Sequence, residues 1–270
     1  MDLNLLSLLT PLYGGGFVHA FTQLFVFYYV VGALIHWGIP LLLPVQSVQP
    51  QPRVKGSVTR DAFYSLGPMA VKAAIWVIVE KMHARGWNLV YTSPIDTLPH
   101  VLYCGLVVGL LDYLHDSWFY WTHRMLHWGP LYRHIHYIHH KSKVPSAFTG
   151  YSFHVVEAII VFANEVLVTM VLPMPASVHR VYHLTTTAIH EGGHAGYEIA
   201  PFVPTVESLL LLVFKGTKDA NRGHALNTVQ HHDMHHRFPN RHFSLYFTHW
   251  DRWFGTMHPQ YEKNLFSYFK

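Results

Sequence analysis

The fold of this 270-residue chain is decided by two neighbouring stretches, 112-DYLHDSWFYWTHRMLHW-128 and 133-RHIHYIHHK-141. They contain one His-x3-His box and one His-x2-His-His box, and the same two kinds of box recur nearer the carboxyl end. Residues three or four apart on a helix share one face, so each box directs two or three imidazoles towards one point. The ten boxed histidines are His123, His127, His136, His139, His140, His190, His194, His232, His235 and His236. Ten imidazoles exceed what one metal ion uses, so the boxes predict a pair of metal ions held by nitrogen.

The composition favours a membrane protein. Hydrophobic residues make up 50% of the chain, aromatic residues 15% and charged residues only 13%, which suits a protein that meets a lipid interface. The net charge of +4 is small and dispersed, so a nucleic-acid partner is not indicated. Cys104 is the single cysteine, which excludes an internal disulfide, a cysteine-ligated iron–sulfur cluster and a zinc ribbon.

Long apolar segments predict an all-α integral membrane bundle of about four spanning or re-entrant helices with a histidine-rich di-metal cap. Residues 17–43, 62–82 and 98–114 are the candidate spans. Residues 154–172 and 178–189 are expected to form a hairpin, because an even number of crossings must separate the two groups of boxes if they are to meet. A short interfacial helix is expected at residues 208–214.

The basic residues predict the orientation of the cap. Arg53, Lys55 and Arg60 follow the first span, and further lysines and arginines surround the first boxes. Basic loops lie on the cytosolic side of a membrane, so the boxes are expected to face the cytosol. We predict two regions, an amino-terminal membrane region at residues 1–95 and a catalytic domain at residues 96–270.

Several polar residues are candidates for orienting the metal-bound imidazoles, since such rings hold a partner through their second nitrogen. Asp112 and Asp116 lie near whole helical turns before His123, and the others lie within or close to the boxes. The residues predicted to orient the metal-bound imidazoles are Asp112, Asp116, His154, Glu157, His231 and Asp233.

Two other functions stay open at this point. His190-Glu191-Gly-Gly-His194 fits the His-Glu-x-x-His pattern of zinc hydrolases, in which the glutamate activates water. That reading would leave eight boxed histidines without a role. The third possibility is a metal-holding scaffold without catalysis. Oxidation of an unactivated C–H bond would instead need a redox-active metal and dioxygen, which suits a histidine-lined metal pair beside a membrane.

The boxes and their surroundings resemble the fatty acid hydroxylase/sterol desaturase superfamily over roughly residues 98–258. The segments that carry the resemblance are 116-DSWFYWTHRMLH-127, 136-HYIHH-140, 194-HAGYE-198, 231-HHDMHH-236 and 246-YFTHWDRWFGT-256. Within the superfamily, the segments around His194 and after His231 resemble sterol C-4 methyl oxidases and cholesterol 25-hydroxylases. The segment after His139 and residues 152–157 are more similar to sterol C-5 desaturases.

The resemblance implies a multi-pass oxidoreductase of the endoplasmic reticulum membrane, a monooxygenase or desaturase of lipid metabolism. It implies two iron ions, with zinc a possible occupant of a purified sample, and dioxygen as co-substrate. It also implies a sterol or fatty-acyl-type substrate, and electrons from cytochrome b5 and its NAD(P)H reductase or an equivalent donor. At the position of His190 most sterol oxidase relatives lack a histidine, so the ligand role of His190 stays open.

Overall fold

The computed structural model describes residues 13–198, 205–219 and 225–261. The helices are α1 Gly16–Ala33, α2 Ile39–Leu42, α3 Ser57–Tyr64, α4 Leu66–Ala84, α5 Leu98–Leu126, α6 Gly129–His134, α7 Val155–Phe162, α8 Asn164–Val171, α9 Ala176–Gly193, α10 Val206–Asp219, α11 Val229–Arg237 and α12 His249–Trp253. A π-helical turn at Leu34–Gly38 joins α1 to α2, and 3₁₀ turns occupy His136–Lys141 and Ala147–Thr149. This helical architecture confirms the predicted fold class.

Four two-residue strands complete the secondary structure of the described chain. They are β1 Gln46–Ser47, β2 Val90–Tyr91, β3 Met174–Pro175 and β4 Tyr197–Glu198. β1 pairs antiparallel with β4, and β2 pairs parallel with β3. The β1–β4 pair holds the loop that follows α2 close to the end of α9, where the His190–His194 box lies.

Three stretches of the described chain are long and apolar enough to cross a membrane: Gly16–Leu42, Ser57–Ala84 and Leu98–Leu126. They correspond to the three predicted spans, although the third helix extends twelve residues beyond the predicted end at residue 114. This extension is polar, and His123 lies in its last turn. Thr97 caps the start of α5, because its side chain accepts a hydrogen bond from the amide of His100.

The expected hairpin of residues 154–189 is built from three helices. The first arm is divided at Ala163 into α7 and α8, each of eight residues, and α9 returns after Pro173 and Pro175. α4 packs against α1, α7 and α8, and α9 packs against α1. The predicted interfacial segment 208–214 lies within α10, which is kinked at Gly216.

Ionisable residues of the bundle are buried in pairs. Lys72 Nζ lies 2.7 Å from Glu165 Oε1, and the Trp76 indole donates to Glu165 Oε2 over 2.8 Å. Arg180 pairs with Glu80 at 2.6 Å. Charges removed from water in this way need a close partner, so these pairs fix how α4, α8 and α9 face one another.

Candidate metal centre

The structure gathers nine of the ten boxed histidines into two adjoining groups. The first group contains His123, His127, His136, His140 and His235, and the second contains His139, His194, His232 and His236. Within each group the candidate ligand nitrogens all lie within 4.8 Å of one another. All nine side chains are buried except that of His127, which is half-buried.

The first group converges on the Nε2 atom of His140. This atom lies 3.2 Å from His136 Nε2, 3.3 Å from His127 Nε2 and 3.1 Å from His235 Nε2. The residues come from the end of α5, the 3₁₀ turn after α6, and α11. Three separate segments of the chain thus bring the Nε2 atoms of their histidines together.

The second group is built around His194, the residue that ends α9. Its Nε2 lies 2.7 Å from His232 Nε2 and 3.3 Å from His139 Nε2. The rings of His139 and His236 are 4.7 Å apart, and His236 is 5.0 Å from His140 of the first group. The two groups are therefore neighbours.

α11 supplies both groups because its histidines alternate in direction. His232 and His236 are four residues apart and face the second group, whereas His235 faces the first. Thr228 caps the helix by accepting from the His231 amide, and Glu198 accepts from the amides of Val229 and Gln230 at 3.2 and 2.8 Å. These contacts satisfy amides that the first turn of any helix leaves open.

The second nitrogen of several rings is held by a fixed acceptor. His123 Nδ1 lies 2.9 Å from the Phe243 carbonyl, and His235 Nδ1 lies 2.7 Å from the Arg241 carbonyl. His136 Nδ1 lies 2.7 Å from Glu157 Oε1, which is the contact expected of Glu157. A carbonyl only accepts, so Nδ1 carries the proton and Nε2 presents a lone pair.

The converging lone pairs fit a cation. Nitrogen lone pairs about 3 Å apart repel one another unless a positive charge lies between them. Burial lowers the pKa of His194 to about 4, and burial and the neighbouring imidazoles hold the pKa values of His232 and His235 well below the usual range. Neutral imidazoles at pH 7 are the form that binds a metal, and an all-imidazole donor set suits iron, copper or zinc.

His190 lies outside both groups. Its Nδ1 is 2.9 Å from the Thr186 carbonyl, while its Nε2 has no hydrogen-bond partner. It nevertheless lines the small cavity at the metal centre, together with Phe119, Glu157 and five of the nine grouped histidines.

The other predicted orienting residues have different partners. Asp116 accepts from the backbone amides of Leu245 and Tyr246 at 2.9 and 2.7 Å, and so holds the segment after α11. Asp112 accepts from the Tyr182 hydroxyl and the Val206 amide, each at 3.0 Å. The expected orienting role of Asp112 is corrected, because a hydroxyl and a backbone amide occupy its two oxygens. Asp116 binds both of its amides through Oδ1, and its buried Oδ2 has no hydrogen-bond partner among the described residues, so this carboxylate makes no hydrogen bond to a boxed imidazole there.

The remaining three also have partners other than the boxed histidines. His154 caps α7 by accepting from the Val156 amide at 3.1 Å. His231 Nε2 lies 3.2 Å from Asp251 Oδ2. Asp233 forms an ion pair with Arg237 at 3.0 Å, four residues further along α11, and its own side chain is buried.

Sequence reasoning missed Asp61. This buried carboxylate accepts from the hydroxyls of Ser142 at 2.5 Å, Thr149 at 2.7 Å and Ser152 at 3.2 Å, and it thereby anchors the segment after His140 to α3. An acidic residue immediately before the predicted apolar span 62–82 was the available signal. Asp251 has a similar role, since it accepts from the amides of Phe243 and Ser244.

The hydrolase arrangement does not form in the His190–His194 segment. His194 lies at the end of α9, its Nδ1 hydrogen-bonds the His190 carbonyl at 2.6 Å, and the two rings do not share a group of ligands. Burial raises the pKa of Glu191 to about 10, so this side chain is a neutral acid at pH 7. A hydrolytic glutamate must be ionised to activate water.

Comparison with known proteins gives a consistent picture. The model of the fatty acid hydroxylase family matches residues 107–256, more than half of the chain. Human lathosterol oxidase is 25% identical over 75% of this chain and 62% of its own length. A methylsterol monooxygenase of Aspergillus fumigatus is 30% identical over 63% of this chain and 52% of its own length. A Delta(7)-sterol 5(6)-desaturase of the same fungus is 25% identical over 90% of this chain and 72% of its own length.

The chain thus spans less than two thirds of the length of the first two of these relatives. No solved structure is significantly similar to it.

Proposed function

Because the chain belongs to the fatty acid hydroxylase family, we propose that it is a membrane-bound oxidoreductase that uses dioxygen to hydroxylate or desaturate a lipid. The proposed substrate is a sterol or related lipid, since the relatives described above are named for sterol oxidation and desaturation. The observation that carries the proposal is the convergence of neutral imidazole lone pairs into two adjoining groups.

The two groups would hold two iron ions, one each, and zinc would fit the same nitrogens in a purified sample. Bound iron would supply the redox chemistry with dioxygen that an unreactive C–H bond requires. The ligands of the first ion would be His123, His127, His136, His140 and His235, and those of the second His139, His194, His232 and His236.

The surrounding residues prepare this chemistry. Glu157 contacts Nδ1 of His136 and so fixes the orientation of the ring, with Nε2 facing the other imidazoles of its group. Phe119, Phe153 and Val161 line the cavity beside the imidazoles, and their apolar side chains exclude water from the reacting centre.

We further propose that the cap faces the cytosol at the endoplasmic reticulum and receives electrons from cytochrome b5 and an NAD(P)H reductase, or an equivalent donor. The cap-side carboxylates Asp61, Asp233 and Asp251 are buried. Exposed basic residues near the cap are Lys55, Arg133, Lys141, Lys143, Arg237 and Arg252. A basic surface is attracted to an acidic donor protein and to the cytosolic leaflet.

The test is dioxygen uptake coupled to a lipid product in nanodiscs that contain the iron-loaded protein, a donor system and host lipids. Uptake matched by a hydroxylated or unsaturated lipid is expected. The double variant His139→Ala/His235→Ala, which removes one imidazole from each group, should lose activity by orders of magnitude. An active double variant would refute the assignment.

Glu191→Gln separates this function from zinc hydrolysis. Oxidation should persist in this variant, because Glu191 is a buried neutral acid outside both groups. Hydrolysis of an ester or peptide that vanished in Glu191→Gln and survived in His136→Ala would favour the hydrolase instead.

A further inference from the structure

Two carbonyl groups of one short segment hold two ligands of the first group. The Arg241 carbonyl lies 2.7 Å from His235 Nδ1, and the Phe243 carbonyl lies 2.9 Å from His123 Nδ1. His235 belongs to α11 and His123 to α5, so this segment connects the two helices that supply these imidazoles. The residue between the two carbonyls is His242.

His242 has a backbone conformation that L-amino acids seldom adopt. Its φ is +60°, and among the described residues it is the only one other than glycine with a positive φ. This left-handed conformation is disfavoured because Cβ comes too close to the following carbonyl oxygen. Such conformations persist only where the surroundings fix them, and they are concentrated at functional sites.

Contacts with α12 and the residues after it fix this conformation. The His242 amide donates to the Thr256 carbonyl over 3.0 Å, and the His242 Nε2 accepts from the His258 amide at 3.1 Å. Asp251 accepts from the amide of the next residue, Phe243, at 2.9 Å. The His242 side chain is completely buried, so water does not compete for these contacts.

The two carbonyls prepare their imidazoles to bind a metal. A carbonyl only accepts, so each Nδ1 keeps its proton and each Nε2 presents a lone pair. The hydrogen bond also fixes the orientation of the ring and makes the ligand more basic. A changed backbone at His242 would move both carbonyls at once. The second group does not depend on this segment in the same way, because His194 Nδ1 is held by the His190 carbonyl.

We propose that His242 is a positioning residue of the metal centre. Its left-handed backbone directs the two neighbouring carbonyls to His123 and His235, and thereby determines how tightly the first group binds its ion. His242 itself lies outside both groups of ligands. The inference rests on the metal ligands of the proposed function, but it does not depend on the reaction.

The test is cadmium-113 NMR of the cadmium-loaded full chain in detergent micelles, because each occupied group gives its own resonance. The unaltered chain should give two resonances. His235→Ala and His232→Ala assign them, since each variant removes a ligand from one group only. Competition with a chelator measures the affinity of each ion.

Two substitutions of His242 separate backbone conformation from side-chain size. Valine and asparagine are both smaller than histidine, but a β-branched residue is strongly disfavoured at positive φ, whereas asparagine tolerates it. His242→Val should shift or remove the resonance of the first group and weaken its ion about 10–100-fold, as is typical when ligand-orienting partners are lost. The resonance of the second group should stay in place. His242→Asn should recover most of the affinity and the original position of the first resonance.

Tyr261→Phe controls for a general loosening of the cap. The Tyr261 ring lies 5.2 Å from the His242 ring, and its hydroxyl contacts Thr228 at 3.2 Å. Removal of this hydroxyl leaves the backbone of His242 unchanged, so both resonances should remain. His242→Ala, which is disfavoured less than valine at positive φ, should show a smaller change of the same kind, and it replaces His242→Val in the comparison with His242→Asn if the valine variant does not fold.

An unchanged first resonance in His242→Val would overturn the inference. Equal changes in the valine or alanine variant and in His242→Asn would also overturn it, because they would assign the effect to the lost ring. A second resonance that moves as far as the first would show a general disturbance of the cap and overturn it too. An unaltered chain that does not bind two cadmium ions would refute the proposed metal ligands together with this role. The expected resonances without any dioxygen-dependent lipid product would refute only the proposed oxidation.

Discussion

Substitutions along α11 should weaken the binding of one metal ion at a time. His232 belongs to the four-histidine group, His235 to the five-histidine group, and His231 to neither. His232→Ala leaves three imidazoles for its ion, whereas His235→Ala leaves four. The same short helix therefore offers a variant for each ion and a matched control.

The magnitude follows from the number of ligands. A binding free energy of about 10–16 kcal/mol, typical of four-ligand zinc sites, assigns about 2.5–4 kcal/mol to each of four imidazoles. His232→Ala should thus weaken its ion roughly 100- to 1,000-fold. One of five imidazoles carries a smaller share, so His235→Ala should weaken its ion less.

The assay is metal content by mass spectrometry after dialysis against a graded series of chelators. His232→Ala should lose one ion per chain at the lowest chelator strength, and His235→Ala should lose one at a higher strength. The unaltered protein and His231→Ala should still hold two ions per chain under both conditions. Helical circular dichroism checks that each variant is folded. A folded His231→Ala that loses metal as readily as His232→Ala would refute the division into two groups.

Three further perturbations test the scaffold. Lys72→Met leaves the buried carboxylate of Glu165 without its cation and should destabilise the bundle by about 3–5 kcal/mol. Much of this loss should be recovered in the double variant Lys72→Met/Glu165→Leu. Thermal unfolding in nanodiscs measures both variants, and equal losses of stability would contradict the pairing. Gly32→Ala places a methyl group 2.7 Å from a carboxyl oxygen of the buried Glu191 and should cost about 1–3 kcal/mol. Gly38→Ala, whose nearest neighbour would be 3.4 Å away, is the control in the same unfolding assay. Burial raises the pKa of Glu198 from 4.5 to about 7, so the folded protein retains a proton that the unfolded chain releases, and stability should fall as the pH rises through this window. Glu198→Gln should flatten that slope in an unfolding series across the same pH range, and an unchanged slope would exclude Glu198 as its source.

The sequence predicted the elements that depend on local pattern. Apolar length located the three candidate spans, because a helix in lipid must be apolar over about 20 residues. The boxes identified the nine gathered histidines, but the expectation that each box meets at one point is wrong for both His-x2-His-His boxes. His139 lies in the other group from His136 and His140, and His235 in the other group from His232 and His236. Glu157 was also identified as a partner for an imidazole, and it contacts His136.

Local pattern was insufficient where partners come from distant segments. Asp116 lies on the helix that carries His123, but its donors are amides about 130 residues further along the chain. His190 and His194 have helical spacing, yet α9 ends at His194, whose backbone leaves the helical conformation. The ring of His194 is thereby turned towards His139 and His232. Helical periodicity cannot foresee where a helix ends within a box.

The cap and its metal ions should therefore be regarded as one folding unit. The second group draws one histidine from the 3₁₀ turn, one from the end of α9 and two from α11, and none of these segments can present converging lone pairs by itself. Without cations, the buried imidazoles would repel one another in surroundings that offer them few donors. With cations, the same contacts become the strongest links between the segments, because the binding free energy of the metal is also folding free energy. Asp61, Asp116 and Asp251 contribute by fixing the backbone on either side of the ligands, which lowers the entropy that metal binding must still overcome.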